Sequence, residues 1–249
     1  NTKTKIRLLN MFRNEITLSE NCSEAQNNME TNIKEISKRL VAVLEEHDID
    51  PYSVCDLLKA FEADSTFVPF STWSALLNYC SYSANPVGRF LLATVGLNTE
   101  IHDKDKAEFT ELSDNICTGL QLINFAQDIK EDAENNRCYV PKCEWPKSVE
   151  ENNFISVSSL TDENKNKFVM KLVVKGEQNL LTGSVLPNKI RKSNLRHAIR
   201  FSMEIALIIE CGKNIIQQIK KDPSIVWNQP PKLEIRKLPI FLYNAILNI

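Results

Sequence analysis

One segment, residues 120–132, constrains the fold of this chain more than any other. At about 100° per residue, its polar residues lie within about 80° of one another on an α-helix and form a single stripe. These residues are Gln121, Asn124, Asp128 and Asp132. The residues on both sides of the stripe are apolar, namely Leu120, Leu122, Ile123, Phe125, Ala126 and Ile129. A helix that is apolar over most of its circumference is predicted to be largely buried, together with its polar stripe.

The two carboxylates of the stripe, Asp128 and Asp132, are about one helical turn apart. In an apolar setting they repel each other and shift towards the protonated form, unless a cation or strong donors compensate them. Asn and Asp oxygens without His or Cys suit Mg²⁺, which commonly takes one or two carboxylates together with substrate phosphate oxygens. The alternative is a solvated helix edge on which the aspartates pair with Lys130 or Arg137. The pattern of this segment alone leaves both interpretations open.

The composition predicts an all-α protein. The chain has six glycines and no Asn-Gly or Asp-Gly pair, so the usual signals of β-hairpins are missing. Its long periodic segments are rich in Leu, Ile, Lys, Glu and Asn. A length of 249 residues with 43% hydrophobic residues suffices for one sizeable core, and no segment resembles a long linker. We therefore predict a single domain over residues 1–249.

Charge and cysteine usage exclude several classes of protein. The net charge of −2 comes from well-mixed acidic and basic residues, which predicts no nucleic-acid partner. The seven cysteines are an odd number without a paired framework, and no secretory signal segment is present. A reducing, cytoplasmic location is therefore predicted.

The C-terminal segment, residues 238–249, is apolar but short. No run in the chain approaches the roughly 20 apolar residues that span a bilayer. We expect the C-terminal segment to close the core. The alternative is contact with a membrane surface, which would make the protein peripheral at the membrane.

Helical periodicity predicts the order of elements along the chain. Asp50 is expected to cap a helix that begins near Pro51, and Ser71 is expected to cap the helix after it. Residues 133–160 contain prolines and many polar groups, which predicts a long surface loop. Helices are predicted at about residues 5–13, 33–44, 52–63, 72–82, 104–132, 161–181 and 190–220.

A second segment of interest, residues 79–89, precedes the acidic stripe in the chain. Pro86 has no N–H for the carbonyl of Tyr82 and its ring crowds that carbonyl, so a helix through this point must kink or break. Gly88 allows another element or a ligand to approach the main chain. The alternative is an ordinary helix boundary, with the proline just inside the next helix.

Both segments resemble motifs of the squalene and phytoene synthase family. Asn124-x3-Asp128-x3-Asp132 followed by Arg-Cys-Tyr-Val-Pro resembles the second aspartate-rich motif of that family. Tyr-Cys-x-Tyr-Ser-Ala-Asn-Pro-Val-Gly-Arg, from Tyr79 to Arg89, resembles the motif that faces it. The sequence of this second motif is similar to that of the hydroxysqualene synthases of the bacterial hopanoid pathway (HpnC). The resemblance extends from about Leu8 to Leu233.

The resemblance implies a type I isoprenoid synthase fold, an all-α helical bundle around a central apolar cavity. It implies that Asn124, Asp128 and Asp132 hold Mg²⁺ against a prenyl diphosphate, with Tyr79 as the catalytic aromatic residue that stabilises a carbocation. The substrate-binding residues would then be Tyr82, Ser83, Asn85, Gln121, Phe125, Arg137 and Tyr139. Gln121 and Arg137 would contact the diphosphate, and Asn85 would help to seat a water molecule.

For this branch, the implied substrate is presqualene diphosphate, which is ionised and captured by water to give hydroxysqualene for squalene and hopanoid biosynthesis. Companion enzymes of the same pathway would be its partners. One rival is the head-to-head condensation of farnesyl diphosphate to presqualene diphosphate or squalene. A rival of another class is a non-catalytic helical partner, or pseudoenzyme.

The first aspartate-rich motif of the family has no counterpart in the sequence. The opening helix resembles the family segment that follows this motif, so we expect the N-terminal helices of a parent enzyme to be missing. The function above refers to that parent enzyme, because a chain without the first motif would lack half of the metal site.

Overall fold

The computed structural model describes residues 2–17, 27–146, 160–247 and 249, and all regular elements in these ranges are helices. The α-helices are α1 Thr2–Thr17, α2 Asn28–Glu46, α3 Pro51–Ser65, α4 Trp73–Ser83, α5 Asn85–Thr94, α6 Leu97–Glu100, α7 Asp103–Gln127, α8 Ile129–Glu134, α9 Asp162–Gly183, α10 Leu186–Arg191, α11 Ala198–Lys221, α12 Ile225–Asn228 and α13 Leu238–Leu247. Short 3₁₀ helices occupy Lys142–Glu144 and Ile235–Lys237. The predicted all-α class is confirmed. Part of the predicted loop, residues 147–159, lies outside the described residues.

The centre of the bundle is the packing of α7 against α9. Two glycines let their backbones approach closely: a Cβ on Gly119 would lie 2.8 Å from the carbonyl oxygen of Gly176. The apolar residues beside the polar stripe, including Leu122, Ile123 and Ala126, are buried in this core. Burial of each large side chain contributes about 1.5–3 kcal/mol, so the core determines the rotation of α7 and the direction of its stripe.

A helix boundary separates α4 from α5 at Ala84, with Pro86 in the first turn of α5. Of the two interpretations of Pro86, the structure supports the ordinary boundary. Helix α5 then packs on α7, where a Cβ on Gly88 would lie 2.4 Å from the hydroxyl oxygen of Ser113. The hydroxyl of Thr118 donates to the side-chain oxygen of Asn85 at 2.9 Å, and both residues are buried.

Two predicted boundaries are wrong in detail. The cap of α4 is Thr72 rather than Ser71, and its hydroxyl accepts a hydrogen bond from the N–H of Ala75. The predicted helix 190–220 is divided into α10 and α11. Between them, the hydroxyl of Ser193 donates to the carbonyl of Ile190 and accepts from the N–H of Leu195, contacts that compete with helical hydrogen bonds.

The C-terminal helix α13 packs on α11 and buries Phe241 and Ala245, as expected for a segment that closes the core. Much of its remaining surface is apolar and exposed, with Ile240, Tyr243 and Leu247 more than half exposed. Within the described part of the chain, no helix is long and apolar enough to cross a membrane.

Candidate active site

The acidic stripe continues through the junction of α7 and α8. Asp128 is both the C-cap of α7 and the N-cap of α8. The single helix that the sequence predicted is therefore two consecutive helices. Helical hydrogen bonds nevertheless connect the stripe. The N–H of Asp128 donates to the carbonyl of Asn124 at 2.9 Å, and the N–H of Asp132 donates to the carbonyl of Asp128 at 2.8 Å. The three metal-ligand candidates therefore keep the predicted one-turn spacing.

The burial of the stripe decreases towards Asn124. Asp128 and Asp132 are partly buried, whereas Asn124 is exposed, so the expectation of a buried stripe is wrong at Asn124. Asp128 also lines a polar pocket of about 410 Å³ together with Gln127, Lys130 and Pro230. Asp128 is therefore accessible from this pocket, whereas Asn124 and Asp132 are not among the residues that line it.

Negative charge at the stripe is only partly compensated by the protein. Burial, and next the neighbouring charge of Asp128, raise the pKa of Asp132 from 3.8 to about 6, although Arg137 acts in the opposite direction. None of the ion pairs formed by described residues includes Asp128 or Asp132. Among the described residues, neither aspartate therefore forms an ion pair with Lys130 or Arg137, although both are partly exposed and the charge of Arg137 still lowers the pKa of Asp132.

The donor set fits a hard cation as part of a larger site. Among the residues that the structure describes, no group of three or more His, Cys, Asp and Glu side chains could hold a metal ion. Asp128 and Asp132 supply two carboxylates, and Asn124 supplies an amide oxygen. Mg²⁺ is usually held by one or two carboxylates and takes its other ligands from water and substrate phosphates. The metal site thus stays a prediction whose protein ligands are of the expected type.

Beside the acidic residues lies an aromatic cluster that contains the predicted residues Tyr79, Tyr82, Phe125 and Tyr139. Phe125 stacks on Tyr139 with ring centroids 3.8 Å apart. The ring of Tyr79 lies 5.5 Å from that of Tyr82, 6.0 Å from that of Tyr139 and 6.3 Å from that of Phe125. The structure therefore brings together four residues that come from three separate parts of the sequence.

Two rings of the cluster, Phe67 and Phe70, were not predicted. Phe70 lies 5.2 Å from Tyr79, and Phe67 lies 5.2 Å from Tyr139. Both belong to the segment between α3 and α4 around Pro69, which has no helical periodicity. The available signal was the density of aromatic residues in this segment, since a loop without a packing role rarely carries two phenylalanines.

Asp64, in the last turn of α3, is a polar residue of the site that the sequence reasoning missed. The hydroxyl of Tyr79 donates a hydrogen bond to Oδ1 of Asp64 at 2.7 Å. The guanidinium of Arg137 donates to the backbone carbonyl of Asp64 at 3.3 Å. The predicted helix 52–63 ends one residue too early to include it. No local pattern indicates a partner fifteen residues away.

The charge of Asp64 reaches several groups of the site. Burial raises the pKa of Tyr139 to about 12, and the charges of Asp64 and Asp132 contribute. The pKa of Tyr79 is raised above its ordinary value, first by burial and next by the hydrogen bond to Asp64. Asp64 therefore lies between the aromatic cluster and the acidic stripe.

The remaining predicted residues occupy three different environments. The hydroxyl oxygen of Ser83 is buried and has no hydrogen-bond partner among the described residues. Gln121 is partly buried on the stripe. Asn85 is buried in the interface between α5 and α7, where it accepts from Thr118, so its role in seating water stays a prediction.

An apolar pocket of about 330 Å³ lies between α1, α2, α3 and α5. Its lining residues are Phe12, Leu40, Ser53, Val54, Leu57, Leu58, Phe61, Pro86, Val87 and Phe90. Phe61 of this pocket precedes Asp64 by about one helical turn on α3.

Solved structures identify the class of fold. The squalene synthase HpnC from Alicyclobacillus acidocaldarius superposes with a TM-score of 0.62 at 20% identity, over 89% of this chain and 84% of that one. A dehydrosqualene synthase in complex with a ligand gives a TM-score of 0.66 at 14% identity, over 99% and 86%. The protein therefore has the helical fold of the isoprenoid synthases.

The sequence then identifies the family. The model of the squalene/phytoene synthases matches residues 1–236, so the chain belongs to this family. The hydroxysqualene synthase of Sinorhizobium fredii is 31% identical over 195 residues, which are 74% of this chain and 59% of that protein. The hydroxysqualene synthase of Zymomonas mobilis is 41% identical over 87 residues, or 34% of this chain and 27% of the relative. The chain thus spans less than two thirds of these relatives.

Proposed function

We propose that the enzyme to which this chain belongs ionises presqualene diphosphate with Mg²⁺ and lets water capture the carbocation, giving hydroxysqualene. The observation that carries this proposal is the acidic pair, Asp128 and Asp132, beside the aromatic cluster around Tyr79. The acidic pair would hold the cation that binds the anionic leaving group, and the aromatic cluster would stabilise the carbocation. The likeness to hydroxysqualene synthases supports the choice of branch.

The diphosphate end of the substrate would lie at the acidic stripe. Asn124, Asp128 and Asp132 would hold Mg²⁺, which neutralises the charge that develops on the leaving diphosphate. The raised pKa of Asp132 supports this assignment, because a nearby cation favours the charged carboxylate that burial disfavours. Arg137 and Gln121 would donate hydrogen bonds to the diphosphate oxygens.

The carbocation would be stabilised by the aromatic cluster. The rings of Tyr79, Tyr82 and Phe125 provide electron-rich faces that attract positive charge, and the burial of Tyr79 and Phe125 would exclude stray water. The unpartnered hydroxyl of Ser83 would make a substrate contact near the cation, as a group that can hydrogen-bond the attacking water. Tyr139 would hold Phe125 in place by stacking.

The isoprenoid chain would occupy the apolar pocket between α1, α2, α3 and α5. Its volume of about 330 Å³ lies near the lower end of the range of small-molecule sites, and its lining contains no charged side chain. We place the enzyme in the cytoplasm, with the exposed apolar surface of α13 as a contact to the membrane that holds its lipid product. A companion enzyme would supply presqualene diphosphate.

The test is to supply the full-length enzyme with presqualene diphosphate and Mg²⁺, without a reductant, and to identify the products by mass spectrometry. We expect a C30 alcohol, because water can terminate the cation when no hydride source is present, whereas loss of a proton would give a C30 alkene instead. Chelation of Mg²⁺ should abolish the product.

Farnesyl diphosphate is the second substrate to supply. A phytoene synthase from Enterobacter agglomerans, 35% identical over 95 residues, makes condensation of two prenyl diphosphates the main rival reaction. Efficient formation of a C30 product from farnesyl diphosphate alone would replace our proposal with this rival. Inertness towards both substrates would favour a non-catalytic helical partner.

A further inference from the structure

The hydrogen bond between Tyr79 and Asp64 determines what the Tyr79 hydroxyl can do. A phenol has one proton, and the Tyr79 hydroxyl donates it to Oδ1 of Asp64 at 2.7 Å. Tyr79 is only 3% exposed and is surrounded by the rings of Phe70, Tyr82, Phe125 and Tyr139. The hydroxyl therefore cannot donate to a diphosphate without first leaving Asp64.

We infer that Asp64 is a positioning residue for the reaction: by accepting this hydrogen bond it orients Tyr79 and makes its ring more attractive to positive charge. The inference rests on the proposed function, since it needs a carbocation beside Tyr79. A hydrogen bond to an ionised acceptor is shorter and stronger than a neutral one. The electron density that it leaves on the phenol oxygen is shared with the ring, whose face attracts cations.

The surroundings of Asp64 distinguish this role from simple cross-linking of α3 and α4. Its charge also acts on Tyr82, Tyr139 and Asp132, which are residues of the candidate site. The carboxylate thus adds negative potential on the side of the cluster where Tyr79 lies. A purely structural link would not need a charged group at this position.

Another carboxylate of the chain supplies a matched control. Asp114 on α7 accepts a hydrogen bond from Nε of Arg89 on α5 at 2.9 Å and so also connects two helices. Arg89 and Asp114 are outside the aromatic cluster. Replacement of either aspartate by Asn removes one charge from an interhelical contact while keeping a side-chain oxygen that accepts hydrogen bonds.

The experiment measures binding of a cation mimic to the full-length enzyme with Mg²⁺ and inorganic diphosphate present. The probes are a prenyl ammonium compound and its neutral carbon isostere. We expect Asp64→Asn to weaken binding of the ammonium compound on the order of tenfold and to leave the neutral isostere within about twofold. Asp114→Asn should change the affinity for neither probe, although both variants can lower the melting temperature.

A double-variant cycle tests whether Asp64 acts through Tyr79. If it does, Asp64→Asn should have little further effect on ammonium binding in a Tyr79→Phe background. Asp64→Glu, which keeps the carboxylate, should restore part of the wild-type preference for the ammonium compound over its neutral isostere. Equal losses for the charged and neutral probes, or independent effects of the two substitutions, would overturn the inference. Absence of a C30 product from wild-type enzyme that still prefers the ammonium probe would contradict the proposed function alone.

Discussion

The interface between α5 and α7 and the junction between α7 and α8 use polar residues in opposite ways. In the interface, Asn85 accepts from Thr118 and Asp114 accepts from Arg89, so these polar groups have partners. At the junction, Asp128 and Asp132 repel each other. The difference between these two regions teaches that the interface satisfies its polar groups, whereas the junction leaves its two carboxylates available to a ligand.

The most severe test of this comparison removes a charge from the site. We expect Asp128→Asn in the full-length enzyme to lower turnover of presqualene diphosphate on the order of 10²-fold or more, because an amide holds Mg²⁺ more weakly than a carboxylate. Turnover is measured across a Mg²⁺ titration, in which the variant should need more metal. Glu111→Gln, an exposed position of α7, is the control for loss of one negative charge. Unchanged metal dependence would reject the metal site.

A smaller effect is expected in the scaffold. Thr118→Val should lower the free energy of unfolding by about 1–3 kcal/mol, because the buried side-chain oxygen of Asn85 loses its donor. Urea denaturation measures this change. Thr118→Ser retains the hydroxyl and serves as the control, with a smaller loss from the missing methyl group. If Thr118→Val altered the Mg²⁺ requirement rather than stability, the separation between scaffold and site would be wrong.

The smallest effect is a gain in stability at the site. Because the folded-state pKa of Asp132 is raised from 3.8 to about 6, the wild type loses stability as the pH rises from 3.8 to about 6, where the carboxyl is ionised in the unfolded chain but protonated in the folded one, and this loss persists at higher pH. We expect Asp132→Asn to raise the unfolding free energy at pH 8 by about 1 kcal/mol, after allowance for solvent screening of a partly exposed group.

This stability difference should be constant above about pH 7 and should shrink as the pH falls from about 6 towards 4, because the carboxyl is then protonated in the folded state and becomes protonated in the unfolded chain as well. Thermal unfolding of the metal-free proteins at several pH values measures it. Added Mg²⁺ should reduce the difference at pH 8 by stabilising the wild type. A difference that does not vary with pH would contradict the raised pKa, whereas the expected result would confirm that the site is destabilising without its ligand.

Local structure was largely predictable from the sequence. The helices α3, α7 and α9 follow from periodicity and caps, such as Asp50 before Pro51, because these signals involve residues only a few positions apart. The one-turn spacing of Asn124, Asp128 and Asp132 survives the junction for the same reason. The family resemblance added the roles of these residues, which no periodicity could provide.

Contacts between distant residues were decided by the packing of the helices. Sequence reasoning did not predict that Asn85 accepts a hydrogen bond from Thr118, because this contact depends on the packing of α5 against α7. It missed Asp64, whose partner Tyr79 lies on another helix. The amino-acid order specifies which residues share a helix face, because helical geometry repeats every few residues. Which faces meet, and which carboxylates remain without a partner, depends on how all the helices fill one core, and only the folded chain determines that.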